Sequence, residues 1–497
     1  MISPSTFDSY RVFARQGGIV PVVREFAADT LTPVTAYAAV ARPPFSFLLE
    51  SLVGGERWAR YTFLGTEPSE AWRYRHGRVD RWTPRAGWEQ AGECNDPLGH
   101  IAGRLRPLHG VPVPGLPRFA GGAVGYLGYD VVRAIESLPG GPVDDLGLPD
   151  AAFMIADTVV IIDNAFGRAI VLANTHVASD ASHRELRQEY DRALGRIERL
   201  LERLREPPQL EPLSLEEVSP LPSESQYSRE AFERAVLQTK QYIAAGDVYQ
   251  AVLSRRQDVT LDADPLTVYR SLRALNPAPY LYFLGLEDFT IAGSSPEVLV
   301  RVEENEITVR PIAGTRPRGS DPDQDDRLAA ELLADEKELA EHAMLVDLGR
   351  NDVGRVAAYG SVRLTEDRII ERYSHVQHIV SEVRGRLRPN LDAVDALRAC
   401  FPAGTVTGAP KVRAMQLLDV MEPTRRGPYA GAVCHIGWGA VNLDTAITIR
   451  TVLLRGKKAY VQAGAGIVAD SDPAREFEET ENKAGAVLRA LALAARR

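Results

Sequence analysis

The sequence has 497 residues, of which 45% are hydrophobic and 25% charged, and a formal net charge of −9. That length exceeds what one hydrophobic core usually sustains, so two domains or one elaborate composite domain are expected, and the composition excludes a disordered or fibrous chain. The acidic balance and the lack of a basic cluster exclude nucleic-acid and anionic-membrane partners, which need concentrated positive charge, yet leave room for a small anion held by a few arginines.

In chain order, residues 153–163 (FMIADTVVIID) and 168–173 (RAIVLA) are β-rich runs around Asn164–Gly167, which predicts a hairpin. A long helix is predicted between about Ser179 and Arg205, where Leu186, Tyr190, Leu194, Ile197, Leu201 and Leu204 recur at helical spacing. Residues 206–226 are rich in Pro, Ser and Glu without sustained periodicity and form the predicted linker between an N-terminal region, 1–205, and a second region, 227–497. Beyond it, the runs Phe289–Ile291, Val298–Val302, Ile307–Val309, Ala446–Leu454 and Ala459–Gln462 predict strands that alternate irregularly with helices. The pattern is α+β, without a regular βαβ repeat.

Two pairs of glutamates carry the first hint of chemistry. Glu338 and Glu341 are three apart on a predicted helix, so they share a face. Asp472-Pro473 reads as an N-cap followed by proline in the first turn, starting a helix on which Glu476 and Glu479 repeat that spacing. Glutamates so spaced usually decorate a solvated face, but two converging pairs would make the oxygen-only cage that Mg2+ prefers. Gly464-Ala465-Gly466 reads as a loop between a strand and that helix, where backbone N–H groups could approach a carboxylate closely. Arg450, at the end of a nearby strand-like run, offers a planar fork for the same kind of group. The Walker A, Rossmann, nucleophile-elbow and zinc-protease patterns are absent, which leaves nucleotide binding and hydrolase chemistry unsupported. Cys94, Cys400 and Cys434 lie far apart with neither metal spacing nor a disulfide framework. Without a signal-peptide pattern or a membrane-length apolar run, a cytoplasmic protein is expected.

Together, PIAGTRPRG, DEKELAEHAMLVDLGRND, SHVQHIVSEV, FPAGTVTGAPKVRAMQ, DTAITIRT, QAGAGIV and EETENKA occur in the order found in chorismate-utilising enzymes, and the chain resembles the large subunit, component I, of anthranilate synthases. The resemblance covers essentially Tyr227 to the C-terminus and, more loosely, LLES (Leu48–Ser51) and GGAVGYLGYD (Gly121–Asp130). It implies two β-sheets packed on each other with helices outside. It also implies Mg2+ on Glu341 and Glu479, with Glu338 and Glu476 holding bound waters. Arg450, Tyr429, Lys483 and the backbone of Gly464, Ala465 and Gly466 would contact the carboxylates of chorismate, with Gly314 and Thr315 on the ring side. Glu297 matches a general acid, His378 a histidine tied to catalysis, and Thr405 lies in the same catalytic set.

The resemblance also ranks sibling activities. Gln250 stands where isochorismate and salicylate synthases have a lysine that activates water, so ammonia is the expected nucleophile. Ala313 stands where typical aminodeoxychorismate synthases have a nucleophilic lysine. Anthranilate and pyruvate are thus the expected products; aminodeoxychorismate synthase and 2-amino-2-deoxyisochorismate synthase are the alternatives, and a non-catalytic regulatory subunit is a remote one. Ammonia would come from glutamine through a separate amidotransferase subunit, since no cysteine here sits in a glycine-flanked elbow. Glu50 and Ser51, with Pro279, Tyr280 and Leu281, resemble the two halves of a feedback site for L-tryptophan, in the region expected to regulate the enzyme and dock its partner.

Overall fold

The structure, a computed structural model, describes residues 4–52, 60–216, 218–373 and 376–496. Strands of period-two alternation bury both faces. In the strand Phe45–Glu50, Phe47 points into the layer between two sheets and Leu48 into the layer beneath the helices. Repeated along the chain, this gives an 11-stranded and a 12-stranded sheet packed face to face. Both sheets draw strands from either side of residues 206–226. Phe45–Glu50 pairs antiparallel with Tyr280–Leu286 in one, and Gly122–Leu127 pairs antiparallel with Ala432–Gly437 in the other.

Helices close the outside. The long helix runs His183–Arg205, started by Ser182 in a capping box with Glu185, and buries Leu186, Tyr190, Ile197 and Leu204. Each such side chain contributes about 1.5–3 kcal/mol on burial. The C-terminal helix Pro473–Ala495 begins as its sequence indicates, with the Asp472 side chain accepting from the Arg475 amide and proline in the first turn. Among the described residues no helix is long and apolar enough to cross a membrane.

Two predicted runs are each broken by a passage between sheets. FMIADTVVIID is not one arm of a hairpin: Ala151–Ala156 lies in the 12-stranded sheet and Thr158–Asp163 in the other, with the chain turning at Asp157. The hairpin itself forms between Thr158–Asp163 and Arg168–Val177. Likewise Ala446–Leu454 divides into Leu443–Ile447 and Thr451–Arg455, which belong to different sheets. A third passage separates Phe289–Ser295 from Val298–Glu303, with Glu297 in between. An unbroken apolar run signals burial on both faces but carries no mark of the sheet that buries it.

Candidate active site

The second and third passages meet. Ile447 N donates to Glu297 O at 3.0 Å and Ser294 N donates to Arg450 O at 3.2 Å, so Glu297 and Arg450 sit side by side where two chain segments leave one sheet for the other. Arg450 occupies the left-handed region with φ 51, a conformation that costs about 1–3 kcal/mol for a side chain with a β-carbon. Its neighbour strand Lys458–Ile467 pairs with Thr451–Arg455 only as far as Val461 opposite Val452, so from Gln462 onward that edge is open beside the Arg450 turn.

Gly464, Ala465 and Gly466 therefore lie inside a strand, not in the loop that their glycines suggest. They pair with Ser254, Leu253 and Val252. Glycine is needed for space: a β-carbon at Gly464 would stand 2.7 Å from the Tyr429 hydroxyl, and one at Gly466 2.6 Å from Gln250 Nε2. Both glutamate pairs connect to this strand. Gln250 Nε2 donates to Glu341 Oε1 at 3.2 Å, and Lys483 Nζ lies 2.7 Å from Glu479 while donating to Gly464 O at 3.1 Å. Glu338 and Glu341 lie on the helix Glu336–Gly354, and Glu476 and Glu479 on Pro473–Ala495.

Electrostatics mark the same residues. Burial pushes Glu338 up, and repulsion from Glu341 adds to it against the pull of Arg316. Burial likewise pushes Glu476 up, with Glu479 adding to the rise while Ser471, Lys483 and Lys337 oppose it. Lys337 belongs to the first turn of the opposite helix, so the two helix starts lie within electrostatic reach of each other. Among the described residues no three His, Cys, Asp or Glu side chains gather into a ready-made metal centre. The donor set nonetheless fits a hard divalent cation: oxygen donors only, partly desolvated, and two of them destabilised by a carboxylate neighbour.

Glu297 is buried, which pushes its carboxyl up to about 8 against the pull of the Thr405 hydroxyl and Lys483. It is a carboxylic acid at neutral pH. Arg450 shows the reverse: burial depresses its guanidinium and, among the described residues, no carboxylate offsets the cost. A half-buried cation of that kind is stabilised when an anion arrives. His378 Nδ1 donates to Gly314 O at 3.0 Å, with the Thr315 hydroxyl 3.0 Å from the same nitrogen. A carbonyl only accepts, so the proton sits on Nδ1 and Nε2 keeps its lone pair. Burial lowers the pKa of His378, and Arg450 lowers it further. Gly314, at φ 67, sits at an irregularity in the strand Ile312–Pro317 and brings it against Glu338: a β-carbon there would stand 3.2 Å from Glu338 Oε2. Tyr429 is buried with its hydroxyl pushed up to about 12.

Two neighbours were not singled out from the sequence. Arg316 Nη1 lies 3.6 Å from Glu338 Oε1, and the Tyr373 ring meets the His378 ring edge to face at 5.6 Å. Arg316 was legible, since it lies within PIAGTRPRG; Tyr373 had no motif to announce it. Ser374 and His375, which open SHVQHIVSEV, lie outside the described residues.

Glu50, Ser51, Pro279, Tyr280 and Leu281 line one cavity of about 90 Å3 between the sheets, together with Phe63 and His435. The antiparallel register that sets Leu281 opposite Glu50 brings the two halves together. The Glu50 carboxylate is already engaged, accepting from Arg273 Nε at 2.7 Å and from the Tyr269 hydroxyl at 2.5 Å.

Comparison with known proteins gives a consistent set of relatives. The sequence model of the family described as chorismate binding enzyme matches residues 64–489. Anthranilate synthase component 1 of Pseudomonas putida is 47% identical over 483 residues, covering 96% of each chain, and that of Pseudomonas aeruginosa is 49% identical over 485 residues, again 96% of each. The crystal structure of anthranilate synthase component I from Streptococcus pneumoniae TIGR4 superposes with a TM-score of 0.77 at 35% identity, covering 93% of this chain and 99% of that one.

Proposed function

Since the chain belongs to the chorismate-binding enzyme family, we propose that it converts chorismate and ammonia to anthranilate, pyruvate and water, and that this opens the route to tryptophan. The observation that carries the reading is a carboxyl held protonated near neutrality, Glu297, set beside a guanidinium, Arg450, that no acid among the described residues neutralises. The first suits a departing hydroxyl and the second a substrate carboxylate.

Chorismate is a dianion. Arg450 and Lys483 supply positive charge for its carboxylates, with the Tyr429 hydroxyl and the open edge of Gly464–Gly466 as hydrogen-bond donors. Gly314 and Thr315 stand on the ring side with His378. Ammonia attacks ring carbon 2 as the hydroxyl on carbon 4 leaves; hydroxide is a poor leaving group, and Glu297 gives it a proton so that water departs. Gln250, a neutral amide, cannot activate water in competition. In the second step His378 Nε2 takes the proton from carbon 2, the enolpyruvyl C–O bond breaks, and the released enolpyruvate takes up a proton to become pyruvate. Aromaticity of the product makes that step irreversible in practice.

Glu341 and Glu479 would hold Mg2+ directly, with Glu338 and Glu476 ordering its waters. When bound it would draw electron density from the ring carboxylate. The ammonia comes from a glutamine amidotransferase subunit, because ammonium has no lone pair and free ammonia is scarce near neutral pH. Tryptophan inhibits at the cavity lined by Ser51, Pro279, Tyr280 and Leu281, with Glu50 bracing its wall through Arg273. The three free cysteines fit a reducing cytoplasm as the place of work.

The test is direct. Purified chain with chorismate, Mg2+ and ammonium at alkaline pH should produce anthranilate, identified by fluorescence and mass. The para isomer, isochorismate or an aminated product that retains pyruvate would each replace this reading with a sibling activity, and no product from folded protein would point to a regulatory subunit.

A further inference from the structure

Behind the substrate-facing surface lies an ion pair that touches none of the residues' ligand-facing atoms yet joins the segments that carry them. Arg426 and Glu422 are 3% and 6% exposed. Arg426 Nε and Nη2 donate to the two Glu422 oxygens at 2.7 Å each. Two further donors go to backbone: Nη1 to Val406 O and Nη2 to Val252 O, both at 2.7 Å. Glu422 Oε1 also accepts from Ser254 N and Ser254 Oγ, each at 2.8 Å.

Every one of those contacts is one step from the candidate site. Val252 and Ser254 are the strand partners of Gly466 and Gly464. Val406 follows Thr405, whose buried hydroxyl makes no close hydrogen bond among the described residues but is near enough to Glu297 to pull its carboxyl down, and Val252 N donates to Thr407 O at 2.8 Å. The guanidinium lies 5.6 Å from the Tyr429 ring centroid, and Tyr429 N donates to Arg426 O at 3.2 Å. A planar fork with five donors can satisfy a carboxylate and two carbonyls at once; lysine, with one ammonium, cannot span them.

We propose that Arg426 and Glu422 are positioning residues for this reaction: their buried pair fixes the glycine strand, the Thr405 turn and Tyr429 relative to one another, so that substrate seat and acid are aligned. The inference rests on the substrate and acid assignments above.

The experiment separates positioning from plain stability. A buried ion pair exchanged for apolar side chains of similar volume often leaves stability unchanged, whereas removing one partner does not. The double variant Glu422→Leu/Arg426→Met is therefore compared with wild type and with Arg426→Lys, for melting temperature and for the pH profile of kcat/KM for chorismate. In the folded double variant kcat/KM should fall at least ten-fold, and the alkaline limb of the profile should move upward, because Glu297 loses the Thr405 hydroxyl that holds it down. Arg426→Lys should show a smaller loss of the same kind. If the double variant does not fold, Arg426→Lys alone decides. A folded variant with kcat/KM within two-fold of wild type, or one whose loss matches its loss of folded protein while the limb stays in place, overturns the proposal. Wild-type protein that makes no anthranilate would instead overturn the reading beneath it.

Discussion

Replacing Glu297 by glutamine should slow the reaction by orders of magnitude and, at neutral to alkaline pH, make the protein more stable. Burial raises the carboxyl from 4.5 to about 8. A raised acid holds its proton more tightly in the folded state, so its contribution to stability is full below pH 4.5, declines as pH rises and is gone above about pH 8. At about 1.4 kcal/mol per pH unit, the folded state bears about 3 kcal/mol at pH 7 and about 5 kcal/mol at pH 8. Glutamine keeps the shape and has no proton to retain. For a chain of this size the unfolding entropy is about 1 kcal/mol per kelvin, so a gain of about 3 kcal/mol corresponds to about 3 °C in Tm. Scanning calorimetry of both proteins at pH 5 and pH 8 reads the difference: the variant should gain on wild type between the two. Its rate should fall by about 10²–10⁴-fold, the usual contribution of a positioned acid, and the wild-type rate per free ammonia should decline above about pH 8. An equal Tm difference at both pH values, or a wild-type rate that stays flat through that range, would refute the acid assignment.

Glu341→Gln should raise the Mg2+ concentration for half-maximal rate at least ten-fold, since a neutral amide oxygen is a weaker ligand for a hard cation; unchanged activity at unchanged Mg2+ demand in a metal titration counts against the carboxylate cage. Arg450→Gln should weaken chorismate binding by about 10²-fold, the equivalent of about 2–3 kcal/mol for a charge-assisted contact, and steady-state KM with a direct binding measurement will show whether it does. Ser51→Phe should leave kcat and KM near wild type while abolishing inhibition by tryptophan, because the ring fills a cavity of about 90 Å3; inhibition that persists in the variant would move the effector elsewhere.

Local chemistry was legible in the sequence to the extent that it is local. The cap at Asp472, the stripe from Leu186 to Leu204 and the shared helix face of each glutamate pair follow from rules that span four residues or fewer. The breaks at Asp157 and Arg450 did not, nor did the change of sheet between the separately predicted runs at 289–291 and 298–302, because a strand buried on both faces reads the same whichever sheet receives it. The glycines at 464 and 466 read as a loop since glycine permits turns, whereas in the fold they make room for the Tyr429 hydroxyl and the Gln250 amide, two groups contributed from more than thirty and more than two hundred residues away in the chain. The motif resemblance supplied what spacing alone could not, the meeting of those distant segments. It had no bearing on the Glu50 carboxylate, whose engagement by Arg273 and Tyr269 depends on the helix packed behind that strand.

The position of the site follows from the passages between sheets. A residue inside a ladder has its backbone paired and its side chain committed to one face or the other. A residue at a passage belongs to neither ladder, so its side chain can point along the gap between the sheets. Glu297 and Arg450 are both such residues, and the backbone bonds from Ile447 to Glu297 and from Ser294 to Arg450 tie one passage to the other. That mutual tie explains how a side chain with φ 51 is tolerated at Arg450: the neighbouring passage fixes the backbone, and relaxing it would break the Ser294 bond. A buried acid and a half-buried guanidinium without a carboxylate partner among the described residues are each unfavourable alone. They stand at the edge of Lys458–Ile467 that Thr451–Arg455 leaves open beside Gly464–Gly466, the edge at which the proposed dianionic substrate would answer both.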